Sequence, residues 1–174
     1  MAEPTRRLML AVAAAGSLGL AGCKGIAALG PLPKPSPDVR TLEHAIAAEE
    51  LMVATYRAAA GQLAATASAG VKGQRLSAAV SAIQAEHQAH LTRLRARLVL
   101  PPRLAHTKFL AGRPSPLPAD SQGIIGALVA DERAAAARLT SELLHAPPAL
   151  AQLMASIAAS EAAHVIYLRR AGSP

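Results

Sequence analysis

Four segments of this chain each carry an apolar stripe at helical spacing, and each stripe holds an ionisable side chain away from its ends. In the first, Leu42, Ile46, Glu49, Val53, Tyr56, Ala60 and Leu63 recur at steps of four and three. The second runs Leu76, Val80, Ile83, His87, Leu91, Leu94 and Leu98, and the third Ile125, Leu128, Glu132, Ala135 and Leu139. The fourth, Leu150, Met154, Ile157, Glu161, His164 and Leu168, holds two such groups. These steps keep residues on one buried face of a helix. Burying an ionised group without a partner costs on the order of several kcal/mol. Each seam group therefore requires a hydrogen bond, a counter-charge or a metal. Four helices that turn such groups inward can satisfy them together at the centre of a bundle.

The chain of 174 residues is the length of one domain. Hydrophobic residues make up 52% and aromatics 2%, with no Trp, so the core is built from Ala, Leu, Val and Ile. Ala and Leu are strong helix formers, and no alternating β-branched run bounded by turn residues interrupts the pattern. An all-α fold is expected.

The first residues read as a targeting segment. Arg6 and Arg7 precede an apolar run from Leu8 to Leu20, shorter than the ~20 residues needed to span a bilayer. It ends in Leu20-Ala21-Gly22-Cys23, which resembles a bacterial lipobox. Residues 1–22 are then a lipoprotein signal peptide, with Cys23 as the lipidated first residue of the mature chain. Cys23 is the only cysteine, which excludes a disulfide within the chain. Thr5 to Leu10, with its Arg pair, also resembles a twin-arginine export signal, leaving two export routes open. The expected location is the extracytoplasmic face of the cell membrane, held by the lipid anchor. Loss of the leader removes two arginines and one glutamate, so the mature chain keeps +6 of the formal +7. Nucleic acid is not an expected partner, because the stacking aromatics are missing and the anchor places the chain outside the cytoplasm. Either a solvated basic surface or attraction to anionic lipid accounts for the charge.

Residues 23–40, with Gly25, Gly30, Pro31, Pro33, Pro35 and Pro37, form a tether. The bundle is expected over 41–172. Helix one runs from about Thr41, its N-cap, to Ala67. Gly70 and Gly73 make a short turn, so helix two, about Gln74 to Val99, returns antiparallel. Residues 100–120 hold six Pro or Gly residues and no helical period. A helix of ~25 residues is ~38 Å long. Some twenty extended residues at ~3.3 Å each outreach it. This crossover can traverse the whole bundle and make helices two and three parallel. Asp120 or Ser121 caps helix three, which continues to about His145, and Pro147-Pro148 turn the chain into helix four.

Two antiparallel hairpins joined by one long crossover, with these seam residues, resemble the ferritin-like superfamily, and more closely the ferritin-like domain lipoproteins of high-GC bacteria. The likeness covers Thr41 to Gly172. In that superfamily two helices each supply a Glu and two supply a Glu-x-x-His motif to a di-metal site. The resemblance implies a ferritin-like four-helix bundle with Glu49, Glu132 and Glu161 as carboxylate ligands and His87 and His164 as nitrogen ligands. It implies a di-iron or di-manganese cofactor. Helix two departs from the motif, with Gln84 three residues before His87. Gln84 can ligate through its carbonyl oxygen, and Glu50 or Asp131 could supply the missing carboxylate. Tyr56 is a candidate hydrogen-bond or radical partner. Glu86 and His90 are also present, but Glu86 lies about 100° from His87 around the helix and is expected to face outward.

Three carboxylates do not neutralise two divalent ions, so two functional classes stay open. One is a membrane-anchored metalloprotein for oxygen or peroxide chemistry or metal handling. The other is a degenerate, metal-free bundle whose seam residues hydrogen-bond to one another, serving as an envelope binding or structural module. Whether the chain is an enzyme, and whether it is a monomer or a homodimer, are open at this point.

Overall fold

The computed structural model describes residues 37–66, 71–98 and 112–173. The leader, Cys23, the tether to residue 36, the turn at 67–70 and crossover residues 99–111 lie outside the described residues. Within them the chain is all-α, with no strand: α1 Pro37–Thr66, α2 Val71–Arg95, α3 Ser121–Glu142 and α4 Pro148–Gly172.

The helix ends depart from the sequence expectation in ways that local chemistry explains. α1 begins at Pro37, four residues inside the expected tether, and Thr41 lies within the helix instead of capping it. Proline suits a first helical position, since its fixed φ is helical and its missing N–H would have no partner there. Gly73, expected in the turn, belongs to the first turn of α2. α2 stops at Arg95, before the expected Val99, and tightens as Arg97 N–H and Leu98 N–H donate to the Leu94 and Arg95 carbonyls at 3.0 and 3.1 Å. Asp120 does cap α3, its side chain accepting from Gly123 N–H at 2.8 Å. A 3-10 turn, Leu143–His145, and Pro147 then lead into α4.

Packing fixes the topology. α1 lies against α2 and α3, and α4 against α2 and α3. One apolar cluster joins Leu63, Leu76, Ile124 and Leu168; the other joins Leu42, Leu94, Leu139 and Leu150. α2 and α3 therefore both run from the first cluster towards the second, and α1 and α4 run the opposite way. Every packed pair is antiparallel, while α2 and α3, consecutive in sequence, are parallel and start at the same end. The described part of the connection shows how it travels. Gly112 lies beside Leu51, and the Pro118 carbonyl accepts from Gln62 Nε2 at 2.5 Å, so residues 112–118 follow α1 towards the start of α3.

Each fully buried Leu or Ile contributes about 1.5–3 kcal/mol relative to exposure. All six seam positions of α4 and all five of α3 are buried, as are the α1 and α2 seams apart from half-buried Ala60 and Leu98. α4 is long and apolar enough to cross a membrane by length and composition, but one face of it is the bundle core and carries Glu161 and His164. Between the two apolar clusters lies a layer of buried polar side chains.

Candidate metal centre

Glu49 from α1, His87 and His90 from α2, Glu132 from α3, and Glu161 and His164 from α4 form that layer, each no more than 6% exposed. Mid-seam positions put all but His90 there: apolar residues on both sides anchor each helix, and the ionisable residue is carried inward with them.

His87 sits at the hub. Its Nδ1–H donates to Glu49 Oε2 at 2.9 Å and its Nε2–H to Glu132 Oε1 at 3.0 Å. Both neighbours are carboxylates, which can only accept when ionised, so both ring nitrogens carry hydrogens. His164 is placed alike, with Nδ1 3.2 Å from Glu132 Oε2 and Nε2 2.9 Å from Glu86 Oε2. Tyr56 O–H, fully buried, also donates to Glu132 Oε1. Glu132 thus accepts three side-chain hydrogen bonds.

The electrostatics follow from these contacts. Burial pulls His87 down, but hydrogen bonds and charge from Glu132 and Glu49 overcome it and raise its pKa to about 10. Burial alone would raise Glu49, yet His87 and His90 bring it to about 2. Glu132 is lowered in the same way, against burial, by His164 and His87. His164 is raised, its two carboxylate partners outweighing burial. Glu161 goes the other way: burial, then the charges of Glu49 and Glu132, push it up to about 9. Burial and the Glu132 charge also hold the Tyr56 phenol protonated. At neutral pH His87 is an imidazolium between the Glu49 and Glu132 carboxylates, and Glu161 keeps its proton.

Two sets of donor atoms lie close enough to hold an ion. Glu49, His87, His90 and Glu161 offer atoms all within 4.8 Å of one another, and so do His87, Glu132 and His164. Three atoms of the first set, Glu49 Oε1, His90 Nδ1 and Glu161 Oε2, are buried with no partner of ordinary hydrogen-bond geometry, although the protonated Glu161 carboxyl also interacts with that of Glu49. His90 Nδ1 and Glu49 Oε1 do approach to 3.4 Å, an electrostatic contact without hydrogen-bond geometry. Buried orphan atoms of this kind are what a metal ion would satisfy, so the donor set fits one.

The five expected ligands, Glu49, His87, Glu132, Glu161 and His164, all reach the centre, and Tyr56 stands beside it as a hydrogen-bond donor. Of the proposed substitutes, Glu50 and Asp131 do not. Glu50 is held by Arg95 NH2 at 2.6 Å on the surface. Asp131 is exposed and lines a cleft of about 350 Å³ between α1, α3 and residues 113–115, with Arg113 and Arg138. Gln84 is half-buried. Glu86 is exposed, as expected, with a side chain 55% accessible, yet its carboxylate reaches His164, a contact the sequence did not show. His90 was left unassigned by the sequence, although its i+3 spacing from His87 on one helix was the available signal.

No protein-family model, curated protein or solved structure matches this chain.

Proposed function

We propose that this chain is a lipid-anchored, ferritin-like metalloprotein of the cell envelope that binds a divalent first-row metal at the centre of its bundle. The observation that carries the reading is the trio of orphan atoms, Glu49 Oε1, His90 Nδ1 and Glu161 Oε2, converging from three helices inside one donor set. Four antiparallel packings and the parallel α2–α3 pair support the ferritin-like architecture. Carboxylate with imidazole suits iron, manganese or zinc. A bound iron or manganese ion would supply the electron transfer needed to reduce dioxygen or peroxide; storage or transfer of the ion itself needs only the binding. Glu49 and Glu161 would supply charge to the ion, His87 would be oriented by Glu132, and Tyr56 would hold Glu132 in place.

A second reading is the metal-free envelope module. In its favour, Glu86, His164, Glu132, His87 and Glu49 form one continuous run of hydrogen bonds in which each imidazole lies between two carboxylates, and Gln84 stands where a carboxylate was expected. Elemental analysis of protein purified without chelator, with melting curves before and after adding Fe²⁺, Mn²⁺ or Zn²⁺, separates the two. Bound metal and a metal-dependent rise in Tm are expected, because a ligand selective for the folded state stabilises it. Metal-free protein whose melting no ion alters would leave only the structural module.

A further inference from the structure

Resting on the metal-binding reading above, we propose that the centre holds one ion, not two, on Glu49, His87, His90 and Glu161, with His90 in place of the carboxylate that position 84 lacks. The partners of each buried atom sort the layer into two parts. Every orphan atom within it belongs to the set Glu49–His87–His90–Glu161. The other set has no spare atom. Both His164 nitrogens are taken by carboxylates, at 3.2 and 2.9 Å, and Glu132 already accepts from Tyr56, His87 and His164.

His87 is common to both sets, and its orientation decides between them. Its Nδ1 faces Glu49, inside the first set, while its Nε2 faces Glu132. An imidazole that gives Nδ1 to an ion and donates Nε2–H to a carboxylate is the arrangement by which proteins fix a histidine ligand. Glu132 is thereby a positioning residue, backed by Tyr56, and His164 lies one contact further out. Filling both sets at once would need His87 to bridge two ions with no proton on the ring and would leave Glu132 with Tyr56 alone of its three donors.

The geometry is close to what one ion needs. Donors at about 2.1 Å from a common ion are about 3–4 Å apart. The four donor atoms fall within 4.8 Å, so small side-chain rotations close the site. His90 also explains why the site tolerates Gln84. The missing ligand at i−3 from His87 is replaced at i+3, moving the ion one helical turn along α2 and away from His164.

Co²⁺ titration of the metal-free wild-type protein, followed by visible absorption and by X-ray absorption at the cobalt edge, tests this. The expected result is one ion per chain, two imidazole nitrogens in its shell, and no second metal at ~4 Å, where a two-metal site would show one. His90→Ala is expected to weaken Co²⁺ binding at least 100-fold, whereas His164→Gln keeps one ion per chain with less than a tenfold loss. Two ions per chain, or one ion lost with His164→Gln and retained in His90→Ala, would overturn the single-ion assignment and leave metal binding intact. No cobalt uptake by wild type would overturn both. Because His90→Ala could misfold, circular dichroism accompanies it, and the scattering shell of the wild type decides by itself.

Discussion

Glu49 and Glu161 bring two buried carboxyl groups together from α1 and α4, and only one of them is ionised at neutral pH. His87 and His90 bring Glu49 down to about 2 against the effect of burial, while burial and the Glu49 charge lift Glu161 to about 9. The metal-free stability therefore depends on pH from both sides. Glu161 and His87 bind protons more tightly folded than unfolded, so their contributions decline as pH rises, from about 4.5 to 9 for Glu161 and from 6.5 to about 10 for His87. Glu49 does the reverse, and its contribution is lost as pH falls from 4.5 towards 2. Metal-free protein is expected to melt highest near pH 5, losing up to roughly 1 kcal/mol per pH unit for each proton above that. Glu161→Gln, a neutral mimic, should flatten the alkaline decline and abolish metal uptake. An unchanged pH profile in that variant would place the linked proton elsewhere.

Tyr56→Phe removes one of the donors that hold Glu132. A hydrogen bond to a buried charge is worth about 1.5–3 kcal/mol, so urea denaturation should show a loss of that order. The fold and its helical circular dichroism are expected to remain. A loss below about 0.5 kcal/mol would mean that His87 and His164 suffice for Glu132.

Glu50→Gln should change almost nothing. Its ion pair with Arg95 is exposed on the arginine side, and such pairs contribute about 0–1 kcal/mol. Metal content should equal that of wild type. A drop in bound metal would return Glu50 to the ligand set.

Gly123→Ala tests the seating of the crossover. A Cβ at this position would lie 2.5 Å from Pro118 Cβ and 3.0 Å from the Asp120 cap oxygen. The proline ring has little room to yield, so a loss of about 1–3 kcal/mol is expected. A thermal melt coinciding with wild type would show that residues 112–118 can lift away without consequence.

Cys23→Ser addresses the anchor read from the sequence. Detergent fractionation is expected to move the protein from the membrane to the soluble fraction, with the helical domain folded as before. A processed variant that still partitions into detergent would rule out the lipobox.

Much of the centre was legible because periodicity reports where a Cβ points. Glu49, His87, Glu132, Glu161 and His164 stand in apolar stripes, and all five are buried. Periodicity says less about reach. Glu86 starts from an exposed position and still brings its carboxylate to His164, because a Glu side chain is long enough to reach across to the neighbouring helix α4, where Ser160 also donates to it. His90 lies at the margin of its stripe, where exposure or burial depends on how closely α2 and α4 approach, and an Ala-rich interface lets them come near. The start of α1 was misplaced for a different reason: Pro37 reads as a breaker in a Pro-rich segment, whereas at a first helical position it starts the helix.

The end-to-end crossover has a consequence for how the molecule assembles. Each half of the chain is a local hairpin, α1 with α2 and α3 with α4, and each half contains its own ion pair: Glu49 with His87, and Glu132 with His164. Each hairpin thus holds an acid–imidazole pair before the halves meet, and docking adds the contacts of His87 and Tyr56 to Glu132 and of Glu86 to His164, together with the apolar packing of α1 on α3 and α2 on α4. Local hairpins form early and distant contacts late. Substitutions within either ion pair should slow refolding, and those across the docking face should mainly speed unfolding.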